Sequence, residues 1–294
     1  MTGSLIQNIH HYCIGLSYLC AFLLETARLL WPAKGWRITG LGFGAAGLFA
    51  HTAYLLVQQP SPAVPYGSVL MLAWVLAIFY FYGTVHFANV DRSAKWSDAF
   101  RQARPGAAWA VFVLPVVIGL VALSRVLLTA APDHAAFNFA GWASGDRFWG
   151  AIHGLLILFA SGGVSVGFLA SMMYLIQARR LRRKVAPATV VPLLSLERLE
   201  TMNRRAINIA FPMLTAGLLV GTLLIPHGPS LSDNWLSVKV LSTTGLWLVF
   251  LVLLYLRYGA HVPARRLALF SVVAFSLLLV ALVASHPFAL GDAK

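Results

Sequence analysis

Charge is what this sequence lacks most. Of its 294 residues only 11% are Asp, Glu, Lys or Arg and 59% are hydrophobic, whereas soluble domains carry about 25% charged residues. So few charges cannot cover a water-facing surface, and a soluble globular domain is excluded. Acidic residues are the scarcer sign, 9 against 22 basic, for a net charge of +13. Cysteine is nearly absent too. Cys13 and Cys20 are the two, with no CxxC pair, which excludes a thioredoxin-type motif and cofactor attachment through paired thiols. They stand seven apart in one apolar run, share a helix face, and read as buried small residues. No Lys or Arg precedes Arg28, so the first run lacks the basic start of a cleaved signal peptide and reads as a retained helix. Nor does any Ser or Cys stand beside a base in an identifiable motif. There is no glycine-rich phosphate loop, soluble domain, long linker or convincing internal repeat.

What the sequence has is length of apolar run. Segments of roughly 20 apolar residues, enough to cross a bilayer, recur along the chain. They do not alternate as the strands of a membrane β-barrel would. The expected fold is therefore all-α: a polytopic transmembrane helical bundle, one integral membrane domain over 1–294. Eight spans are expected, near 10–29, 38–57, 68–88, 107–128, 149–177, 206–225, 237–256 and 267–287. The fifth is long enough to project into the basic segment after it. The segments following spans one, three, five and seven hold 18 of the 22 basic residues. The positive-inside rule then puts the basic loops in the cytoplasm and both termini on the outer side of a cell (inner or plasma) membrane. The net charge thus reports topology, and no nucleic-acid partner is expected. The run RRLRRK (179–184) suits lipid headgroups. Between spans five and six, VPLLSLERLETMNRRAIN (191–208) spaces its leucines and Met202 helically, which predicts an amphipathic helix lying on the cytoplasmic face. Trp142 and Trp149 suit the interfacial aromatic belt.

The nine histidines divide by depth. His10, His11, His51, His134, His153, His227 and His286 fall in the outer half or beyond it, while His86 and His261 fall on the cytoplasmic side. Ionisable groups in spans are costly and face a partner or cavity. His153 opens span five and His286 closes span eight at equal depth, so they approach one another if those spans pack side by side. Two neutral imidazoles from opposite sides are the axial set of a six-coordinate heme iron. Zinc is less well served, since the usual His and carboxylate cluster at short spacing is missing. The small residues of SGGVSVGFLAS and AGLLVG suit close approach of helix backbones, or of a flat porphyrin.

The run WGAIHGLLILFASGGVSVGFLASMMYLIQARRLRRK, then PLLSLERLETMNRRAINIAFPMLTAGLLVGTLL, SDNWLSVKVLSTTGLWLVFLVLLYLRY and a final SHPF resembles the cytochrome c assembly superfamily of CcsA, CcmC and the HemX-like proteins. The likeness is good over 148–288 and loose over 38–57. It implies a heme-handling membrane protein in which two outer histidines flank a tryptophan-rich outer segment and hold heme for delivery to apocytochrome c. By position, His153 and His286 resemble that pair and His51 an intramembrane histidine of an early helix. SDNWLSVK stands in the place of the tryptophan-rich segment, with Asp233, Trp235 and Lys239 at its acidic, aromatic and basic positions. One Trp remains there, and Tyr255 stands where the family often has a further intramembrane His. The short HemX-like branch fits best.

Three readings follow. The first is a carrier or assembly factor, not a catalyst, that binds heme b non-covalently. In it His153 and His286 ligate the iron and Trp235 and Trp149 stack on the ring. Lys239 or Arg147 meets the propionates, while His51 ligates a second heme or forms a hydrogen bond. Its partners would be apocytochrome c, other cytochrome c maturation proteins and membrane lipids. The second is a scaffold or accessory subunit that keeps the fold without heme. The third is a small-solute transporter, for which broken helices and paired repeats are the expected signs.

Overall fold

The computed structural model describes residues 11–30, 34–62, 64–93, 105–130, 145–184, 194–224, 237–260 and 262–284. Among them are eight helices, each with a stretch long and apolar enough to span a membrane. They are α1 (His11–Leu30), α2 (Lys34–Gln58), α3 (Pro65–Ser93), α4 (Pro105–Ala130), α5 (Gly145–Arg182), α6 (Leu196–Leu223), α7 (Val238–Tyr258) and α8 (Ala264–Val283). This is the multi-span all-α bundle that the hydropathy predicts.

The helix starts are written locally. α3 and α4 open on prolines, whose missing N–H costs nothing in a first turn. α6 and α7 follow Ser195 and Ser237, whose hydroxyls accept the amide N–H of Arg198 and Val240 at 3.4 Å each, as N-caps do. Beyond the ends of α2 and α5 the chain turns through left-handed residues, Gln59 (φ 44°) and Lys184 (φ 49°), a conformation more often given to glycine.

Two expectations are corrected. Residues 196–208 do not form a separate helix on the membrane face. They are the first turns of α6, which runs unbroken to Leu223. Leu199, Asn203, Ala206, Ile207, Ala210, Leu214 and Gly217 make one buried stripe along it. Helical spacing reveals an apolar face but not what covers it, and here a neighbouring helix does. The cysteines are not buried either: Cys13 is exposed and Cys20 partly so. The outward surface is apolar, with Ile38, Phe49 and Leu223 all prominent on it, as lipid contact requires.

The helices close into two groups. Helices α1 to α4 form one ring and α5 to α8 a second, and α3 joins them by packing on α5 and α8. Both rings pair in the same order: first with second and third with fourth most closely, first with fourth next, second with third least. The same hydrogen bond ties the third helix to the second in each. Trp74 Nε1 donates to Thr52 Oγ1 at 2.9 Å, and Trp247 Nε1 to Thr215 Oγ1 at 3.0 Å. This repeat of architecture is not visible as a repeat of sequence.

Contacts between elements sort the helix ends. The Arg125 guanidinium of α4 lies 5.8 Å from the centre of the Tyr12 ring of α1. Gly154 of α5 faces Pro62, just before α3, and Ser68 Oγ of α3 lies 3.4 Å from Leu282 O of α8. The starts of α1, α3 and α5 and the ends of α4 and α8 therefore share one end of the bundle, the end that carries His153. Arg179, Arg180 and Arg182 in the last turn of α5 lie at the other.

Candidate functional site

His153 stands two turns into α5, about 12 Å along it at 1.5 Å per residue. Small residues on α6 let its ring lie against that helix. A Cβ on Gly221 would come within 2.8 Å of the ring's Cε1 and 3.0 Å of its Nδ1. One turn earlier, the Gly217 carbonyl lies 2.7 Å from Nδ1. A carbonyl only accepts, so Nδ1 carries the proton, and the neutral ring has its lone pair on Nε2. That is the tautomer a metal-binding histidine takes when a backbone carbonyl orients it.

Lys239, in the first turn of α7, is half-buried. Among the described residues no carboxylate lies within ion-pair distance of it. The partial positive charge of the α7 N-terminus adds to the field there.

The remaining expected site residues divide. Trp149, one turn before His153, is half-exposed, with its ring edge-on to Phe148 at 5.6 Å. Arg147 lies in the first turn of α5, its side chain outside the described residues. His286 and Trp235 also lie outside the described residues. The condition set for the histidine pair holds: α5 and α8 pack side by side, with Phe168 and Phe275 stacked at 4.1 Å, and α8 ends at the His153 end.

His51 belongs to the other ring. It is fully buried in α2, with Nδ1 3.3 Å from the Tyr18 hydroxyl of α1. Of the two roles expected for it, the hydrogen bond is present. Among the described residues no three His, Cys, Asp or Glu side chains gather as a metal site would need. The glycines of α5 serve helix packing: a Cβ on Gly163 would meet Ala210 Cβ at 2.8 Å and one on Gly167 the Asn203 amide at 3.6 Å.

Two buried polar nodes went unread in the sequence. In the first ring Glu25, fully enclosed, accepts from Arg28 at 2.9 Å, and its Oε1 would lie 3.2 Å from a Cβ on Gly40. In the second, Asn203 Nδ2 lies 3.0 Å from Gly167 O, 2.8 Å from Ser171 Oγ and 3.0 Å from Ser271 Oγ. Its Oδ1 accepts from Arg257 at 3.4 Å, and Arg257 lies 3.9 Å from Glu200. The signal for the first was a carboxylate three residues before an arginine inside an apolar run. The second had only an Asn at helical spacing among leucines.

The sequence pattern of one protein family, described as Cytochrome C assembly protein, matches residues 64–287, more than half of the chain. No curated protein and no solved structure matches it.

Proposed function

The chain belongs to the cytochrome c assembly protein family, and from that premise we propose that it is a heme-binding member of the HemX-like and CcsA-like kind. Membership gives it a role in cytochrome c maturation, and its eight spans make it a multi-pass membrane protein. The finer reading is heme b held non-covalently at the His153 end of the bundle. The observation that supports it is the orientation of His153, whose Nδ1 lies 2.7 Å from the Gly217 carbonyl, so that the proton sits on Nδ1 and not on Nε2.

In this reading His153 and His286 would hold the heme iron. Lys239 or Arg147 would meet the propionates through charge-assisted hydrogen bonds, and Trp235 and Trp149 would stack on the ring. Bound heme supplies the iron and the vinyl groups of a c-type cytochrome. The chain supplies ligation, orientation and a carboxylate-binding cation, and no reacting side chain of its own. His51, tied to Tyr18, holds α2 to α1. The His153 end faces outward and the arginine-rich end of α5 the cytoplasm and its anionic lipids, which places the heme where apocytochrome c is met.

Deleting the chain tests the role. Cells without it are expected to lose covalent heme from their c-type cytochromes on heme-stained gels. The wild-type chain should restore the bands, and His153→Ala should restore less than a tenth of them. Unchanged c-type cytochromes in the deletion strain would sink the proposal.

A further inference from the structure

The α5–α6 contact contains more than helix packing. Along α6, Gly217 and Gly221 stand one turn apart on the face that meets α5, yet they touch different things. A Cβ on Gly217 would press on Ile157 Cδ1 at 2.8 Å, a packing contact, and the functional group of Gly217 is its carbonyl. A Cβ on Gly221 would press on the His153 ring itself, 2.8 Å from Cε1, 3.0 Å from Nδ1 and 3.7 Å from Nε2. The ring therefore occupies the volume that any side chain at 221 would need, and from there Nδ1 reaches the Gly217 carbonyl at 2.7 Å.

We infer that Gly221 and Gly217 are positioning residues for His153, and that they set which ring nitrogen is presented before any ligand arrives. Gly221 leaves the space for the ring, and the Gly217 carbonyl takes the Nδ1 proton. The carbonyl has a second lone pair for this beyond its helical hydrogen bond. Nε2 is then the nitrogen without the proton, and the partner carbonyl raises its basicity as such partners do for metal-bound imidazoles. The inference rests on the heme-binding reading for its purpose. Its geometry is a property of the ligand-free chain.

A Gly221→Ala substitution displaces the ring and breaks the Nδ1–H to Gly217 bond. The helix itself gains from the change, because alanine has the higher helical propensity, so lost folding is not the expected outcome.

The test is nitrogen-15 magnetic resonance of histidine-labelled, heme-free, full-length protein in lipid bilayers, with the His153 signals assigned by their absence in His153→Gln. The wild type should show His153 as the neutral ring protonated at Nδ1. Gly221→Ala should lose that signature or show a mixture of both tautomers. Protonation at Nε2 in the wild type, or an unchanged His153 spectrum in Gly221→Ala, would overturn the inference. The wild-type spectrum alone decides if the variant does not fold. A second readout uses heme: Gly221→Ala should retain it at least tenfold more weakly, in line with the 10–100-fold effect of removing a ligand's supporting partner, and with a shifted reduction potential. A wild type that binds no heme would fail the functional reading, while the resonance experiment still decides the geometry.

Discussion

At the scale of single residues, a group in a membrane span is defined by what answers it across the helix interface. His153 was legible because an imidazole in an apolar run stands out. Its partner was not, because a backbone carbonyl has no letter of its own and Gly217 looks like any other packing glycine. Glu25 shows the converse. The sequence displays both it and Arg28, but their place near the end of the first run suggests solvated headgroups, whereas the structure encloses the carboxylate against Gly40. Removing one partner of a buried ion pair leaves a charge unanswered and costs about 3–5 kcal/mol. Glu25→Ala should therefore lower unfolding stability in mixed micelles by about that amount. The double variant with Arg28→Ala should cost less than the sum of the two single changes, because the residues are in contact. A cost equal to that sum would show that the pair itself does not matter.

Among the elements, the pairing of α5 with α6 governs the site. The length of α5 was readable from its apolar run and basic end. That α6 begins at Leu196 and continues through the amphipathic segment was not, because Leu199, Met202 and Ala206 have the same spacing whether lipid headgroups or a helix cover them. The contact is tight where the sequence is small. At Gly163 an added Cβ meets Ala210 Cβ at 2.8 Å and the Ala206 carbonyl at 3.2 Å, whereas at Gly119 nothing lies within 4 Å. Overpacking of this kind costs about 1–3 kcal/mol, and an unopposed Gly→Ala change in a helix gains about 0.5–1 kcal/mol. Thermal unfolding should thus rank Gly163→Ala below wild type and Gly119→Ala at or above it. The reverse order would mean that α5 and α6 do not approach as closely as described. Asn203→Leu should cost about 1–2 kcal/mol by the same measurement, since intramembrane hydrogen bonds contribute about 0.6 kcal/mol each on average and the change removes the two N–H donations of the amide and its acceptance from Arg257.

For the molecule as a whole, the number of spans was the most secure reading, because bilayer thickness fixes how long an apolar run must be. The arrangement into two like-connected rings was hidden. Ring closure depends on Trp74 finding Thr52 and Trp247 finding Thr215, and neither pair is close in sequence. Charge placement adds a testable orientation. The positive-inside rule predicts basic loops inside and both chain ends outside, so a phosphatase fused to the C-terminus should be active in whole cells, and one fused after Lys184 should not. Family membership assigns the chain to cytochrome c maturation, and the His153 end, with its oriented imidazole, is the place proposed for heme.

The most direct measurement is a dithionite-reduced minus oxidised spectrum of the detergent-purified full chain, quantified as pyridine hemochrome, beside the His153→Ala variant. The expected result is a b-type spectrum in the wild type that is lost from His153→Ala. A wild type without a Soret band when heme is supplied during expression, or a variant spectrum identical to it, would contradict the assignment.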